Sequence, residues 1–271
     1  MEESEIKSLS EQEYKVSGKT QIRIDTRFAE NEFSCVVKYA DVEKRRVDFQ
    51  MKDFEQTSTA ITDTLGADLS GAINRLLFQI GGRDELTDIL NTPEIAESWA
   101  ESKPKLLEKY VEVPDFEPLL DNYGDNLKDG QKLLAAIKDK GIYGLFFPRI
   151  KSLAMQTMPA SYSRTKIFKE FMPDIDLPVT EKLAVRKYGQ EIIIDITGEL
   201  DKENFDYEKY LNLSSQLFGK RIKAEDVSFQ SVENYFLSGF DLQYKTGTQH
   251  HYFETKGAYF KDDKLQFKVK E

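Results

Sequence analysis

Residue types on which metal centres and many catalytic sites depend are scarce in this chain of 271 residues. Cysteine occurs once, at Cys35, and histidine occurs twice, at His250 and His251. One cysteine excludes an intramolecular disulfide and a zinc or iron–sulfur site built from cysteines. Adjacent residues of a strand point to opposite faces, so the two histidines cannot easily bind one metal ion together. The sequence therefore predicts no metal site and no cofactor.

Sequence motifs of the common hydrolases are missing as well. The chain contains no G-x-S-x-G and no H-E-x-x-H segment, and two histidines leave little scope for a serine triad. Cys35 lies in an apolar strand pattern over residues 33–37, with no histidine near it in the sequence. A reactive thiol needs an electropositive, partly open setting. We therefore expect Cys35 to be a small buried hydrophobic residue.

Excess positive charge and long apolar runs are also absent. The formal net charge is −10, whereas nucleic-acid binding and docking on anionic lipid both depend on Lys and Arg. No apolar run approaches the ~20 residues needed to span a bilayer. Hydrophobic residues make up 39% of the chain and charged residues 32%, which is typical of a folded soluble protein. We expect no membrane span and no nucleic-acid partner, and the oligomeric state is left open.

The first residues of the chain bear on its location. Residues 1–12 are acidic, contain several serines and lack the apolar core of a secretory signal. The sequence as written therefore indicates a cytoplasmic protein. If a leader was removed before Met1, a bacterial envelope or secreted location follows instead. We expect residues 1–12 to form a flexible tail.

Alternation of apolar and polar residues predicts β-meanders at both ends of the chain. Near the N-terminus, three strands are predicted between residues 13 and 52. Near the C-terminus, three strands are predicted over residues 235–245, 249–260 and 265–270, with turns at residues 246–248 and 261–264. Side chains of a strand alternate between two faces. Each meander therefore has one apolar face that another layer must cover.

The middle of the chain is predicted to supply that cover. Leu and Ile recur at steps of three and four over residues 61–80, which is the apolar stripe of a helix facing a core. Further helices are predicted between residues 92 and 110 and over residues 127–140 and 207–218, and residues 142–150 form a buried strand or a core loop. A strand hairpin is predicted over residues 182–199. Strands, then helices, then strands indicate an α+β fold, with a curved antiparallel sheet built from the N- and C-terminal meanders and packed on a central helical segment.

The number of domains follows from the same layout. Residues 13–271 are predicted to form a single α+β domain. Residues 173–178 begin and end with proline and are a candidate hinge. A division near residue 173, into domains of residues 13–172 and 179–271, is therefore the alternative.

One pattern in the C-terminal hairpin points to chemistry. Asp241 is followed thirteen residues later by Glu254 and then by Lys256. Glu254 and Lys256 share a strand face, and carboxylates suit Mg²⁺. An Asp on one strand with Glu-x-Lys on its hairpin partner resembles the site of the PD-(D/E)xK nuclease superfamily. The resemblance implies a metal-dependent nuclease, in which Asp241 and Glu254 would bind Mg²⁺ and Lys256 would help to activate water.

A zone rich in methionine and aromatic residues runs from residue 142 to residue 172. Such a zone is most often plain core, which fits a structural role, but it can also line an adaptable apolar pocket. The candidate ligand-binding residues are six large apolar side chains of this zone: Phe146, Phe147, Met155, Met158, Tyr162 and Phe168. The leading hypothesis is a non-enzymatic binding protein. It would hold a hydrophobic small molecule, or a partner protein's apolar segment, between the sheet and the helices.

Overall fold

A computed structural model of the chain describes residues 8–58, 65–66, 68–69, 71–82, 85–154, 160–172, 175–238 and 242–270. Eleven antiparallel strands form one curved sheet, and this confirms the predicted α+β fold. In chain order the strands are β1 (Ser8–Ile24), β2 (Arg27–Val42), β3 (Arg46–Ser58), β4 (Arg75–Ile80), β5 (Leu86–Ile89), β6 (Ala160–Met172), β7 (Ile175–Tyr188), β8 (Glu191–Leu200), β9 (Val227–Ser238), β10 (Tyr244–Thr255) and β11 (Tyr259–Val269).

The strand order joins the two predicted meanders directly. Across the sheet it runs β5-β4-β3-β2-β1-β11-β10-β9-β8-β7-β6. β1 and β11 pair along residues 14–24 and 259–269, so the N-terminal and C-terminal ribbons share one hydrogen-bonded ladder. The edge strands are β5 and β6, and the segment between them in the chain carries most of the helices.

The helices follow recognisable local signals. They are α1 (Thr92–Lys109), α2 (Phe116–Leu127), α3 (Gly130–Ile137), α4 (Gly141–Phe146), α5 (Lys151–Ala154) and α6 (Tyr207–Phe218), with 3-10 turns at Gly71–Ile73 and Ala224–Asp226. Pro93 stands in the first turn of α1, where its missing N–H is not needed. The Asp129 carboxylate accepts hydrogen bonds from two backbone N–H groups at the start of α3. Within the described residues, no helix has both the length and the apolar character to cross a membrane.

The inner face of the sheet carries two apolar clusters, which we call the upper core and the lower core. The upper core lies between the sheet and helices α1–α4. Its centre is Phe146 of α4, whose ring stacks on Phe267 of β11 at 4.4 Å between centroids and meets Tyr14 of β1 edge-on at 5.3 Å. Aromatic pairs of this kind add to the free energy gained from burial. The upper core therefore holds β1 and β11 to the helices.

The lower core lies between the sheet and α6. The fully buried Tyr210 of α6 packs against Phe253 of β10, and its hydroxyl is hydrogen-bonded to Thr255. The bounds of α6 are those predicted from the sequence. The Asp206 carboxylate caps its first turn, and Gly219 ends it with a φ of 61°, a conformation that glycine adopts without steric cost.

The helix predicted over residues 61–80 is confirmed at residues 65–66 and 68–69, which are helical, and is wrong from residue 71 onward. Residues 75–80 form β4, and residues 71–73 form a 3-10 turn. β4 pairs with β3 and β5, and it buries Leu76 and Phe78 in the upper core. A short apolar run has the same composition in a buried strand and in a buried helix, so periodicity misassigned it. Residues 61–64, 67 and 70 lie outside the described residues.

The C-terminal meander has three strands, as predicted, but the predicted strand bounds and the turns between them are wrong. Residues 246–248 lie within β10, and residues 261–264 lie within β11. Gly247 lies within β10 and makes no turn. A Cβ at this position would lie 2.4 Å from the Phe267 ring, so the glycine allows that ring to pack closely on β10. The turn between β10 and β11 uses Gly257, whose φ is 72°.

The structure also tests the predictions for residues 8–12, 142–150 and 182–199. Residues 8–12 were assigned to the flexible tail, but they belong to β1, where Gln12 pairs with Tyr39 of β2; residues 1–7 lie outside the described part. Residues 142–150 were expected to form a strand or a loop, but residues 142–146 are in α4. The hairpin over residues 182–199 is confirmed as β7 and β8. A division near residue 173 stays a prediction.

Candidate functional site

A line of polar residues crosses the inner face of the sheet between the two cores. Its members are direct cross-strand partners in nine adjacent strands, and we call them the polar row: Arg164, Glu181, Gly198, Ser231, His251, Asp263, Thr20, Asn31 and Ser58. All positions other than the glycine carry hydrogen-bonding side chains. The polar row therefore interrupts the apolar inner face and separates the upper core from the lower core.

Two carboxylates at or beside the β6 end of the polar row are buried. Glu181 and Glu233 have no solvent exposure. The Arg164 guanidinium lies 2.6 Å from a Glu181 carboxylate oxygen, and the Lys166 ammonium lies 3.6 Å from Glu181 and 3.5 Å from Glu233. Removing a carboxylate from water is costly unless cations and hydrogen bonds compensate for it. The two cations of edge strand β6 supply that compensation.

Glu233 of β9 has the densest set of partners in this cluster. Its carboxylate accepts hydrogen bonds from Tyr235 at 2.9 Å and from Gln249 at 3.1 Å, and a ring nitrogen of His251 lies at 3.1 Å. Burial favours the neutral acid, but Lys166 and the hydrogen-bond donors outweigh it and hold the pKa of Glu233 well below its usual range. Burial opposes the charge of Lys166 too, yet the two carboxylates raise its pKa. Both groups are therefore charged at neutral pH.

A cavity of about 360 Å³ lies beside the polar row. Its walls on the sheet are apolar side chains interspersed with polar ones: Phe33, Phe168, Phe171, Leu177, Phe229, Phe253 and Leu265, with Thr20, Lys169, Gln249, His251, Lys261 and Asp263. Asp139 and Lys140, in the turn between α3 and α4, and Gly141, the first residue of α4, complete the lining. We call this space the inner cavity. Its volume falls within the range of pockets that bind small molecules.

Small residues on the inner face help to shape this level of the sheet. A Cβ on Gly18 would lie 2.2 Å from the Phe33 ring and 2.6 Å from Leu265, so the glycine lets these two cavity-lining side chains lie across β1. A Cβ on Gly198 would lie 2.3 Å from the Ser231 hydroxyl. Glycine in a strand often marks such a close approach.

Two larger clefts adjoin the inner cavity. One, of about 1100 Å³, lies between α2, α3 and edge strand β6, and we call it the rim cleft; it shares Asp139, Lys140, Phe168 and Lys169 with the inner cavity. The other, of about 820 Å³, lies between β3 and α3–α4 and shares Phe33, Lys140 and Gly141 with it. Lys140 is therefore a lining residue of all three spaces.

The six residues proposed from the sequence as ligand contacts are distributed unevenly. Phe168 lines the inner cavity, where its ring lies 5.7 Å from Phe229 and 5.2 Å from His251. Phe146 and Phe147 are buried in the upper core and line none of the three spaces, and the half-buried Tyr162 packs against the same core. Met155 and Met158 lie outside the described residues.

Two of the three residues of the nuclease hypothesis lie in the described part of the chain. Glu254 pairs with Ser228 on β9, near one end of β10, and the exposed Lys256 follows that strand. Asp241 lies outside the described residues, so the convergence of the three side chains stays a prediction. The described part of the chain contains no cluster of three or more metal-ligating side chains.

Cys35 is placed as expected from its sequence context. It is 4% exposed, in the upper core, and burial raises the pKa of its thiol to about 11. The thiolate that would act as a nucleophile is therefore disfavoured at neutral pH.

Sequence reasoning missed the polar row and the buried charges. A signal was present within single strands. In β7 the inward positions read Leu177, Val179, Glu181, Leu183 and Val185, so one glutamate stands in an otherwise apolar alternation. A charged residue on the buried face of a strand needs a partner. The partners themselves come from other strands, and only the register identifies them.

Comparison with known proteins gives a likeness of fold. No model of a protein family matches the sequence, and no curated protein matches it significantly. Among solved structures, the chain is similar to lipovitellin, in a structure of lipid–protein interactions in that protein, with a TM-score of 0.53 and 10% identity. The match covers 98% of this chain and 26% of the lipovitellin chain. This chain therefore spans about a quarter of the length of that protein.

Proposed function

We propose that this protein binds a hydrophobic small molecule, without catalysing a reaction, in the inner cavity between the sheet and the helices. The observation that carries the proposal is the lining of that cavity. Seven aromatic or leucine side chains face a space of about 360 Å³. Apolar walls with a few polar groups are the usual composition of a ligand pocket.

The position of the cavity supports the same proposal. Protein interiors are close-packed, with few voids larger than a water molecule. Here helices α1–α4 cover the upper core and α6 covers the lower core, whereas the level of the polar row between them is only partly filled. An apolar ligand in this gap would cover the half-buried side chains of Phe33, Phe168 and Phe171 and gain free energy from that burial.

The likeness to lipovitellin is consistent with a sheet that can enclose apolar molecules. That structure concerns lipid–protein interactions in lipovitellin. At 10% identity the likeness concerns the fold alone, and the choice of ligand for this chain comes from its own cavity. A small molecule fits the proposal better than a partner's helix, whose diameter of about 10–12 Å exceeds what this space accommodates.

A cavity-filling substitution tests the proposal. Thr20 is half-buried in β1 and lines the inner cavity. Thr20→Trp should place an indole ring in that space and weaken binding of the neutral apolar probe N-phenyl-1-naphthylamine at least about tenfold, since tryptophan suits a strand and fills the site. Probe fluorescence in titrations measures the affinity.

The matched control is Thr197→Trp. Thr197 is exposed on β8, outside the inner cavity, so its indole ring should leave probe affinity within about twofold of the unmodified protein. Circular dichroism checks that both variants fold. If the unmodified protein does not bind the probe, or if folded Thr20→Trp binds it as well as the control does, the inner cavity is not the binding site.

A further inference from the structure

Positive charge is concentrated at the rim cleft of a protein whose net charge is −10. The cationic residues that line this cleft are Lys132, Lys138, Lys140, Arg149, Arg164, Lys166 and Lys169, and the acidic ones are Glu85, Asp139 and Asp176. The cleft thus has seven cations and three acids. Charges of one sign in a cleft with protein walls focus the field there.

The acids of the rim cleft are already neutralised by neighbours. Glu85 pairs with Lys138 at 2.6 Å, Asp139 pairs with Arg149 at 2.7 Å, and Asp176 pairs with Lys169. Each pair leaves no net charge. The acids of the cleft therefore do not cancel the charge of its remaining cations.

Two further cations of the cleft form ion pairs with the buried carboxylates. Arg164 and Lys166 belong to the cluster with Glu181 and Glu233. Lys132 and Lys140 remain. No acidic side chain of the described residues lies within ion-pair distance of either ammonium, which distinguishes them from the other five cations of the cleft.

Lys140 has the more specific position of the two. It is half-buried, it immediately precedes α4, and it borders the inner cavity, the rim cleft and the cleft beside β3. Lys132 is exposed and lines the rim cleft alone. A ligand whose apolar part occupied the inner cavity and whose head reached the rim would pass Lys140.

We propose that the ligand is an anionic amphiphile, with a carboxylate or phosphate head held at Lys140 and a chain of about twelve carbons in the inner cavity. This inference rests on the binding function proposed above and adds the chemistry of the head. The chain length follows from the volume of about 360 Å³, since a group the size of water occupies ~30 Å³ and a methylene group is of similar size. Charge-assisted hydrogen bonds make an ammonium a strong partner for either anion.

Binding of four ligands with the same twelve-carbon chain tests the inference: dodecanoate, dodecyl phosphate, dodecanol and dodecyltrimethylammonium. Isothermal titration below their critical micelle concentrations gives each affinity. The two anions should bind at least about tenfold more tightly than dodecanol, the ratio that one charge-assisted hydrogen bond supplies. The cation should bind more weakly than the alcohol. Comparison of the two anions shows which head the site prefers.

Lys140→Met keeps most of the aliphatic stem and removes the charge. It should lower the affinity for dodecanoate to about that for dodecanol and leave dodecanol binding unchanged. Lys182→Met is the control, because Lys182 is exposed on β7 and lines none of the three spaces. It should not change the ratio of the two affinities.

The outcomes separate the two proposals. If dodecanol and dodecanoate bind equally, or if Lys140→Met weakens both by the same factor, the headgroup inference is wrong and the apolar site stands. If none of the four ligands binds, the proposed function fails and the headgroup inference fails with it.

Discussion

Glu233 keeps its charge in the interior because four side chains, from β6, β10 and its own strand β9, surround its carboxylate. Its carboxylate has no solvent exposure and is met by Lys166, Tyr235, Gln249 and His251. Breaking a buried charge pair by removing one partner costs more than the pair itself contributes, since the other charge stays buried. Loss of the Glu233 carboxylate should therefore destabilise the folded protein beside the polar row.

Glu233→Gln should lower the free energy of unfolding at pH 7 by about 3 kcal/mol, because Lys166 loses one of its two carboxylates while remaining buried. Urea denaturation with fluorescence detection of Trp99 measures the loss. Glu199→Gln, at an exposed position on β8, should change it by less than about 0.5 kcal/mol. Equal stability of the two variants would show that Glu233 is not charged in the folded protein.

Glu233 also determines how the free energy of unfolding changes with pH. The pKa of Glu233 is lowered on folding from an ordinary value of 4.5. Its contribution to stability is therefore fully present above pH 4.5 and is lost as the pH falls toward the folded-state pKa. The difference between Glu233→Gln and the unmodified protein should shrink as the pH is lowered below that value.

Elements whose ends are marked by residues next to them in the sequence were predictable. Elements whose conformation depends on pairing with other strands were not. α6 was predicted with its correct bounds, and the structure shows the local features behind them: Asp206 caps its first turn and Gly219 follows its last residue. β4 was predicted as helix, because its strand conformation depends on pairing with β3 and β5. The turn predicted at residues 246–248 was misplaced for the same reason. Gly247 is needed there because the Phe267 ring of the neighbouring strand lies close to it.

The candidate site was less predictable than the fold. Phe168 was proposed from composition and does line the inner cavity, whereas Phe146 was proposed on the same grounds and lies in the core. Both are aromatic residues of one apolar zone, and only packing distinguishes them. The polar row could not be predicted from periodicity, since its members are spread from Thr20 to Asp263 and meet only through register.

The N-cap of α6 allows a test at the scale of one element. The Asp206 carboxylate accepts a hydrogen bond from the Lys209 backbone N–H at 3.0 Å. Asp206→Ala should lower the free energy of unfolding by about 1 kcal/mol, the usual cost of losing such a cap. Lys202→Ala, at an exposed position before the helix, should have almost no effect. Chemical denaturation of the two variants measures both values, and equal stabilities would mean that the cap does not stabilise α6.

At the scale of the whole molecule, the two cores are connected by the strands themselves. β7 contributes Ile175, Leu177 and Val179 to the lower core and Leu183 and Val185 to the upper core. β9 does the same with Phe229 and Tyr235. Unfolding of either core would therefore expose half of each shared strand.

We accordingly predict one cooperative thermal transition for the whole chain. Differential scanning calorimetry should give a calorimetric enthalpy equal to the van't Hoff enthalpy, the mark of a two-state process. This measurement also distinguishes a single domain from a division near residue 173. Two separable transitions would favour the division, since each part would then melt independently.

The pairing of β1 with β11 has a consequence for the newly made chain. More than two hundred residues separate these partners, and a ribosome adds about 5–20 residues per second. The edge of β1 that pairs with β11 therefore stays unpaired for at least about ten seconds. Throughout that interval its N–H and C=O groups are open to strands of other nascent chains. The protein in the cell consequently has reason to depend on a holding chaperone until β11 has been made.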